Sequence, residues 1–430
     1  AMKRNGLMMI ILLMAIAAYT QEIPSVYSNL GKDDQGIFLK KGERKIYAEK
    51  PEDAWQFKDM YGHPEGTERG IQLDFQYAGL NGTLYYGFIN YGDADYPQPV
   101  FFKQTAAIKS GKAFINIADD MDDKYDMIGW EDSGRGVLGY RIVTDEGRFM
   151  YDGKVGFTYK EGSFSTPATV IEGPFVTRLQ TNAAVIDFST TQPVKAKIQI
   201  NGQTFTDDKP VTSHEILVEG LEAGTAYDYT LEAGPFSFTY SLETKPKKGS
   251  REPFTFAYAS DSRAGQGGGE RNIYGTNAYI MKKIGALARE ENARFMQFTG
   301  DLINGYQDNR QRMHLQYANW KHAVEPFWHH FPVYPAFGNH EAYNYFFRDE
   351  KEEETYMIDQ FPFANNSAEA LFQKHFTNPL NGPESEDGSK YDPNPDKTDF
   401  PSYKETVFYY TYANVAMVVL NSDYWYAPTG

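Results

Sequence analysis

After residue 252 the chain alternates between short apolar runs and longer amphipathic runs, and this alternation restricts the fold more than any other feature. Short apolar runs predict strands, and apolar residues at helical spacing predict helices. Alternation of the two types indicates an α/β core with a largely parallel sheet. The predicted strands are 254–259, 295–299, 333–337, 407–412 and 415–420, and the predicted helices are 273–289 and 310–327.

Two further features of this region carry structural expectations. In the helix predicted at 273–289, Ile280, Ile284 and Leu287 share one face, which we expect to pack on the core. Residues 348–401 form a long polar insertion without an evident periodic pattern. A loop of this length in a compact domain is usually functional or mobile, and we predict one of these two properties here.

Each of the first three predicted strands is followed closely by a polar motif. Asp261 follows the first strand, Asp301 the second and Asn339 the third. Ligands of open α/β sheets bind beyond the carboxyl ends of the strands, so we expect these three side chains to converge. One Gly–Asp or Gly–Asn pair by itself usually marks a turn. Three such motifs in this order indicate a functional site.

The chemistry of these side chains indicates a metal site. Carboxylate and carboxamide oxygens suit hard or borderline divalent cations. One carboxylate can bridge two ions about 3.5–4 Å apart, and a water between such ions loses a proton near neutral pH. The motifs therefore predict metal-assisted hydrolysis, with a phosphate ester as the expected substrate.

The motifs at 259–263, 300–304 and 338–341 resemble those of calcineurin-like metallophosphoesterases. The resemblance covers residues 252–430 and corresponds to the N-terminal part of such a domain. A β-sandwich before it is similar to the layout of purple acid phosphatases. The resemblance implies an α/β metallophosphoesterase sandwich with two divalent or trivalent metal ions. Iron with zinc, two zincs, or manganese would each suit oxygen and imidazole donors.

The resemblance also implies roles for individual residues. By it, Asp261 would hold the first metal, Asp301 would bridge both metals and Asn339 would hold the second. His340 would contact the scissile phosphate and assist the leaving group. Glu341 would orient His340.

Two positions depart from the family pattern. The family usually has a histidine ligand where this chain has Arg263. Arginine remains protonated and cannot bind a cation, but it can hold a phosphate through two parallel hydrogen bonds. Purple acid phosphatases instead supply a tyrosine ligand at the position of Asn304. We therefore expect either a weakly held first metal or Asn304 as a substitute oxygen ligand.

A third departure concerns the end of the chain. The family adds histidine ligands from two later segments, whereas only His375 follows His340 here. The expectation is that the chain is truncated and that its metal site is incomplete. The alternative to an enzyme is a non-catalytic binding module with a degenerate metallophosphoesterase fold.

The N-terminus has the layout of a secretory signal peptide, predicted at 1–21. Lys3 and Arg4 precede an uninterrupted apolar run of twelve residues at 7–18, and small residues end that run. The run is shorter than the roughly 20 residues needed to span a bilayer. No second stretch could be a membrane span. The predicted localisation is therefore secreted or periplasmic.

Two β-rich domains are predicted between the signal peptide and the α/β region. Residues 22–166 carry short alternating runs and predict a β-sandwich-like domain of unknown role. Residues 167–247 predict seven short strands in a small sandwich, including a hairpin turn at Asn201 and Gly202. Its 221–227 segment resembles the fibronectin type III pattern, with Tyr227 or Tyr229 as the corner tyrosine. The charged residues of a linker at 245–250 are expected to be solvated.

Composition excludes several other functions. The formal net charge of −16, without a Lys/Arg cluster, predicts no nucleic-acid binding surface. The chain has no cysteine, which excludes disulfides, thiolate metal sites and cysteine nucleophiles.

Overall fold

The fold is described from a computed structural model that covers residues 23–24, 27–51, 55–101, 105–385 and 400–421. The predicted signal peptide at 1–21 lies outside these residues, as does the 386–399 part of the polar insertion. Within the described residues, no helix combines the length and hydrophobicity needed to cross a bilayer.

The N-terminal region up to residue 165 is built almost entirely from antiparallel strands. A three-stranded sheet (β4, β5, β8) and a five-stranded sheet, in the order β11-β10-β9-β6-β7, contribute to one hydrophobic core. A separate three-stranded sheet is formed by β1, β2 and β3. The strands are β1 Leu30–Asp33, β2 Gly36–Lys41, β3 Arg44–Tyr47, β4 Glu65–Gly66, β5 Gly70–Asp74, β6 Gly82–Phe88, β7 Thr105–Ile108, β8 Lys112–Asn116, β9 Arg135–Thr144, β10 Phe149–Lys160 and β11 Ser163–Ser165, and the short helices are α1 Ile117–Asp120 and α2 Trp130–Ser133, with 3-10 turns at Phe57–Tyr61 and Asp123–Tyr125.

The next region contains seven strands, the number expected from the sequence. A three-stranded sheet, β12-β13-β16, and a four-stranded sheet, β15-β14-β17-β18, share one apolar core. The hairpin turn at Asn201 and Gly202 joins β14 to β15, and both residues have positive φ, as a tight hairpin turn requires. The strands are β12 Val170–Thr177, β13 Ala183–Val194, β14 Lys197–Ile200, β15 Gln203–Thr206, β16 Val211–Glu219, β17 Ala226–Ala233 and β18 Phe236–Glu243.

The two candidate corner tyrosines have different hydrogen bonds. The Tyr227 hydroxyl accepts a hydrogen bond from the Glu222 amide at 2.9 Å, within the same turn. The Tyr229 hydroxyl instead donates to the His329 carbonyl at 2.8 Å. Tyr227 therefore stabilises the turn locally, and Tyr229 joins this region to the α/β region. The fibronectin type III assignment itself remains a prediction.

The C-terminal region has the expected parallel sheet with helices beside it. Strands β19, β20 and β21 pair in parallel in that order, and helices α3 and α4 pack against each other. Two antiparallel pairs, β22 with β23 and β24 with β25, follow. The elements are β19 Thr255–Ala259, α3 Ala278–Glu290, β20 Ala293–Phe298, α4 Arg310–Trp328, β21 Val333–Pro335, β22 Asn344–Asp349, β23 Glu354–Asp359, α5 Phe363–Asn366, α6 Ala368–Phe372, β24 Phe408–Tyr412 and β25 Val415–Val419, with 3-10 turns at Gly269–Arg271 and Asn339–Glu341.

The predicted inner face of helix α3 is wrong for Ile280 and Leu287, whereas Ile284 packs against the core as expected. Leu287 is 58% exposed and Ile280 is 37% exposed, whereas Met281 and Gly285 are buried. A Cβ atom at Gly285 would lie 2.2 Å from the Phe327 ring of α4. The helix therefore turns its small residues inward, because they allow α4 to approach more closely than large aliphatic side chains would.

Part of the polar insertion forms regular secondary structure, although its sequence shows no periodic pattern. Strands β22 and β23 form a hairpin whose apolar side chains share a core with residues of β1, β2 and β3. The backbones of Ala48 and Phe347 form a β-bridge between these two parts of the chain. The insertion binds the N-terminal sheet, and this partner cannot be recognised from the local sequence.

Lys245 is also an exception to its prediction. It was expected to be solvated in the linker, but only 9% of its surface is exposed. Its ammonium lies 5.3 Å from the centre of the Tyr410 ring and 5.7 Å from that of Tyr334. Burial lowers the pKa of Lys245 to about 8, and the two aromatic faces offer the cation a partly compensating environment.

Candidate active site

The carboxyl ends of the three parallel strands open into one cavity of about 500 Å³. Asp261, Asp301 and Asn339 all line it. The loop after β19 is fixed to the loop after β20, because the Asp261 amide donates to the Gly300 carbonyl at 3.2 Å. The parallel sheet therefore brings together the three residues that the sequence predicted to converge.

The backbone at both aspartates is in the left-handed region. The φ angle is 58° at Asp261 and 55° at Asp301. Few non-glycine residues adopt this conformation, and strained residues of this kind cluster at functional sites. The conformation lets each chain reverse direction immediately after its strand, so that the carboxylate stays at the sheet edge.

Two glycines allow the second and third motifs to approach each other. A Cβ atom on Gly300 would lie 2.6 Å from the Gly338 Cα atom, and a Cβ atom on Gly338 would lie 2.6 Å from the Asp301 amide nitrogen. Neither position can accept a side chain without separating the loops. The glycine before Asp301 and the glycine before Asn339 are thus requirements of close backbone packing.

Glu341 is fully buried and holds these two loops together. Its Oε2 atom accepts hydrogen bonds from the amides of Gly338 (2.7 Å) and Asp301 (2.9 Å), and its Oε1 atom accepts one from Leu302 (2.8 Å). Burial raises the pKa of Glu341 to about 8, against the opposite effect of these N–H donors. The residue was expected to orient His340, but its carboxylate positions the backbones of both motifs instead.

The ring of His340 is held at both nitrogens. Its Nδ1 atom lies 2.6 Å from the carbonyl oxygen of Asn304, so Nδ1 carries the proton and donates. Its Nε2 atom lies 2.7 Å from a guanidinium nitrogen of Arg263. Arginine can only donate, so Nε2 accepts and the ring is neutral in this arrangement. Arg263 and His340, the two predicted catalytic residues, are therefore in direct contact.

Asn304 has another role besides the one predicted. Its carboxamide oxygen accepts a hydrogen bond from the Ala264 amide at 3.0 Å, which fixes the loop that carries Arg263. A bound metal would have to share this oxygen. The role of Asn304 as a substitute metal ligand therefore remains a prediction.

Tyr306 belongs to the site and was missed by the sequence analysis. Its hydroxyl accepts a hydrogen bond from the Asn339 carboxamide nitrogen at 2.7 Å, and its ring stands edge-on to His340 at 4.8 Å. This contact turns the amide nitrogen of Asn339 towards Tyr306. The signal was present, because Tyr306 lies only two residues beyond the position where the resemblance expects a tyrosine.

Asp261, Asp301 and Asn339 provide some, but not all, of the ligands that a bound cation would need. Within the described residues, neither Asp261 nor Asp301 has a lysine or arginine at salt-bridge distance. Asp301 has only the His340 ring, at 3.9 Å, and the His340 amide, at 3.1 Å. Two unneutralised carboxylates and a carboxamide are ligands for a hard cation. However, the described part of the chain contains no group of three His, Asp, Glu or Cys residues that could hold a metal.

Comparison with known proteins shows which protein family part of the chain resembles. Residues 257–403 match the family model for calcineurin-like phosphoesterases. No curated protein matches the chain. Three solved structures show distant similarity, and the chain spans about half the length of the first of them. They are a structure of PhoD (15% identity, TM-score 0.39, 58% of this chain and 51% of that chain covered), a central fibronectin-III array of RIM-binding protein (13%, 0.24, 45% and 71%) and a Faecalibacterium prausnitzii beta-glucuronidase (11%, 0.18, 66% and 55%).

These TM-scores are too low to support a functional conclusion, which depends on the family match and the site itself. The matched residues include all three motifs, the parallel sheet and both helices. Residues 257–403 are therefore a calcineurin-like phosphoesterase domain.

Proposed function

We propose that the domain hydrolyses phosphate esters with two bound metal ions held by Asp261, Asp301 and Asn339, completed by ligands beyond these three residues. The family match supports a phosphoesterase-type hydrolase with phosphate-ester substrates and divalent metal ions. When bound, the ions would polarise the phosphate and supply the deprotonated water expected from the sequence. The number of ions and this mechanism are part of the proposal.

In the proposed reaction, Arg263 would bind the phosphate and His340 would transfer a proton. A phosphate dianion is a stronger acceptor for the Arg263 guanidinium than a neutral ring nitrogen is. Substrate binding would therefore draw Arg263 away from His340 and free Nε2. Because the Asn304 carbonyl fixes Nδ1, Nε2 is the atom that would take up a proton from solvent and pass it to the leaving oxygen.

One observation carries the proposal: two carboxylates, without a lysine or arginine partner among the described residues, and a carboxamide line one cavity at the carboxyl ends of three parallel strands. The carboxyl ends of the strands are where open α/β sheets usually bind their ligands.

The test is hydrolysis of p-nitrophenyl phosphate and bis-p-nitrophenyl phosphate in the presence of manganese, zinc or iron. Asp301→Asn keeps the shape of the side chain and removes the charge proposed to bridge the metals, so activity should fall at least 100-fold. Asp208→Asn removes an exposed carboxylate far from the motifs in sequence and should leave the rate unchanged. Equal rates in the parent and Asp301→Asn proteins would end the proposal.

A second function is favoured by one specific observation. The described residues hold no metal-binding group of three acidic or imidazole side chains. A degenerate domain that binds a partner without catalysis would have this property. Metal analysis of the purified protein separates the two functions, because stoichiometric metal that is lost in Asp301→Asn supports the enzyme. Absence of bound metal after incubation with each ion would leave only the second function, the binding of a partner without catalysis.

We also propose that residues 1–21 direct the protein to the periplasm or outside the cell. The apolar run and its basic start support this. N-terminal sequencing of the exported protein should begin close to residue 22. Recovery of the intact N-terminus in the cytoplasm would contradict the proposal.

A further inference from the structure

A second cavity, of about 680 Å³, lies among six separate segments of the chain. We call it the polar cavity. It is lined by the 3-10 turn Phe57–Tyr61, by strands β12, β13 and β16, by helix α4 and by the residues after α6. It shares no lining residue with the cavity at the candidate active site. Its volume is within the range of small-molecule sites.

The acidic residues that line the polar cavity already have partners. The Glu172 carboxylate accepts a hydrogen bond from the Lys321 ammonium, and both side chains are buried. Asp187 accepts a hydrogen bond from the Thr377 hydroxyl at 2.6 Å. The third, Glu215, is paired with an arginine at 3.3 Å. Glu172 and Glu215 are therefore each paired with a cation, whereas Asp187 has only a hydroxyl donor, and burial raises its pKa to about 6.

The basic residues are not balanced in the same way. Within the described residues, Lys58 and Lys374 have no carboxylate at salt-bridge distance, although both line the polar cavity. Arg310 donates from one guanidinium nitrogen only, to the Asn365 carbonyl at 2.7 Å and the Asn366 carboxamide at 2.5 Å. Its other nitrogens remain available as donors. Three cations from two distant parts of the chain thus line the polar cavity, and none of them has a carboxylate at salt-bridge distance within the described residues.

Neutral donors line the same space. The hydroxyls of Ser189 and Ser213 have no hydrogen-bond partner within the described residues. His314 and His375 are joined at 2.7 Å between ring nitrogens, and the second nitrogen of His375 is buried without a partner. Burial lowers the pKa of His314 to about 4, and the charges of Lys374 and two further cations lower it too. The cations therefore act on a common, poorly neutralised region.

We propose that the polar cavity binds a small phosphate-class oxyanion. Such an anion carries up to two charges and several acceptor oxygens, so it can engage two ammonium groups, a guanidinium and hydroxyls together. A monocarboxylate offers fewer acceptors, and an apolar ligand would leave these groups unpartnered. The proposal does not depend on the proposed hydrolysis, because the two cavities are separate.

The test uses calorimetric titration of inorganic phosphate into full-length protein treated with a chelator. All proteins carry Asp301→Asn, so that the candidate active site does not contribute a metal-dependent signal. One equivalent of phosphate should bind, and Lys58→Ala/Lys374→Ala should weaken the affinity at least tenfold. Lys248→Ala removes an exposed lysine of the linker and should not change it. Acetate at the same ionic strength should bind at least tenfold more weakly than phosphate.

A second measurement guards against misfolding of the double variant. Its melting temperature without phosphate should equal that of the parent, since neither lysine side chain has a hydrogen-bond or salt-bridge partner in the part of the chain that the structure describes. Added phosphate should then raise the melting temperature of the parent but not that of the double variant. Failure of the parent to bind phosphate, or equal affinity in the parent and the double variant, would overturn the inference whatever the hydrolysis assay gives.

Discussion

The buried ion pair between Lys154 and Glu325 provides a quantitative test of how the regions are joined. Lys154 lies in β10 and Glu325 in α4, and their side chains are 11% and 6% exposed. The second carboxylate oxygen of Glu325 accepts a hydrogen bond from the Gly173 amide at 3.1 Å. This one carboxylate therefore connects the N-terminal region, the seven-stranded region and the α/β domain.

Single substitutions should be costly because each leaves one buried charge without a partner. Lys154→Met isolates the carboxylate, and Glu325→Gln isolates the ammonium while it keeps an oxygen for Gly173. Each should lower the free energy of unfolding by about 3–5 kcal/mol. The double variant leaves no isolated charge, so its free energy of unfolding should be close to that of the parent or higher by up to about 4 kcal/mol. Additive effects would instead lower it by about 6–10 kcal/mol.

The assay is urea unfolding followed by tryptophan fluorescence and circular dichroism. Trp320 and Trp328 are buried in α4 and Trp130 is buried in the N-terminal core, so fluorescence reports on both regions, and circular dichroism reports on all strands. Lys197→Met is a matched control, because its pair with Glu232 is exposed and should contribute under about 1 kcal/mol. The prediction would be refuted if either single variant lost as little free energy of unfolding as the Lys197→Met control. It would also be refuted if the loss in the double variant equalled the sum of the two single losses.

Three further predictions follow from the site and the polar cavity. Gly300→Ala should abolish manganese binding measured by calorimetry, because its Cβ would lie 2.6 Å from Gly338; unchanged affinity would contradict the packing argument. Burial raises the pKa of Asp187 to about 6, above its ordinary 3.8, so stability should fall as pH rises through this interval. Asp187→Asn should flatten that fall between pH 4 and 7 in urea unfolding, and an unaltered slope would be evidence against it. Burial lowers the pKa of His314 to about 4, below its ordinary 6.5, so the free energy of unfolding should fall as pH drops through that interval. His314→Phe should lose less stability than the parent between pH 6.5 and 4 in urea unfolding, and an equal loss in both proteins would contradict this prediction.

The sequence predicted the parts of the fold that depend on local pattern. Parallel strands at 254–259, 295–299 and 333–337 and the convergence of Asp261, Asp301 and Asn339 follow from periodicity and from the geometry of α/β sheets. The structure places all three residues at one cavity. The strand pair near the C-terminus was also predicted, because its apolar runs are short and bounded by turn residues.

The rest depended on contacts between distant parts of the chain. The inner face of α3 was predicted wrongly for Ile280 and Leu287 because side-chain size, rather than hydrophobicity, decided how closely α4 could pack at Gly285. Glu341 was assigned to the neighbouring histidine, but its partners are backbone amides of its own loop and of the loop after β20. Tyr306 was missed because the resemblance expects a tyrosine at the position of Asn304, two residues earlier in the chain.

The sheet of β1, β2 and β3 has an implication for biogenesis. Its apolar side chains share a core with the hairpin of β22 and β23, which begins about 300 residues later in the chain. At about 5–20 residues per second, a ribosome needs about 15–60 seconds to supply that partner. Until the hairpin is synthesised, the apolar side chains of the N-terminal sheet have no covering partner, and we expect a chaperone to bind the nascent chain at this surface.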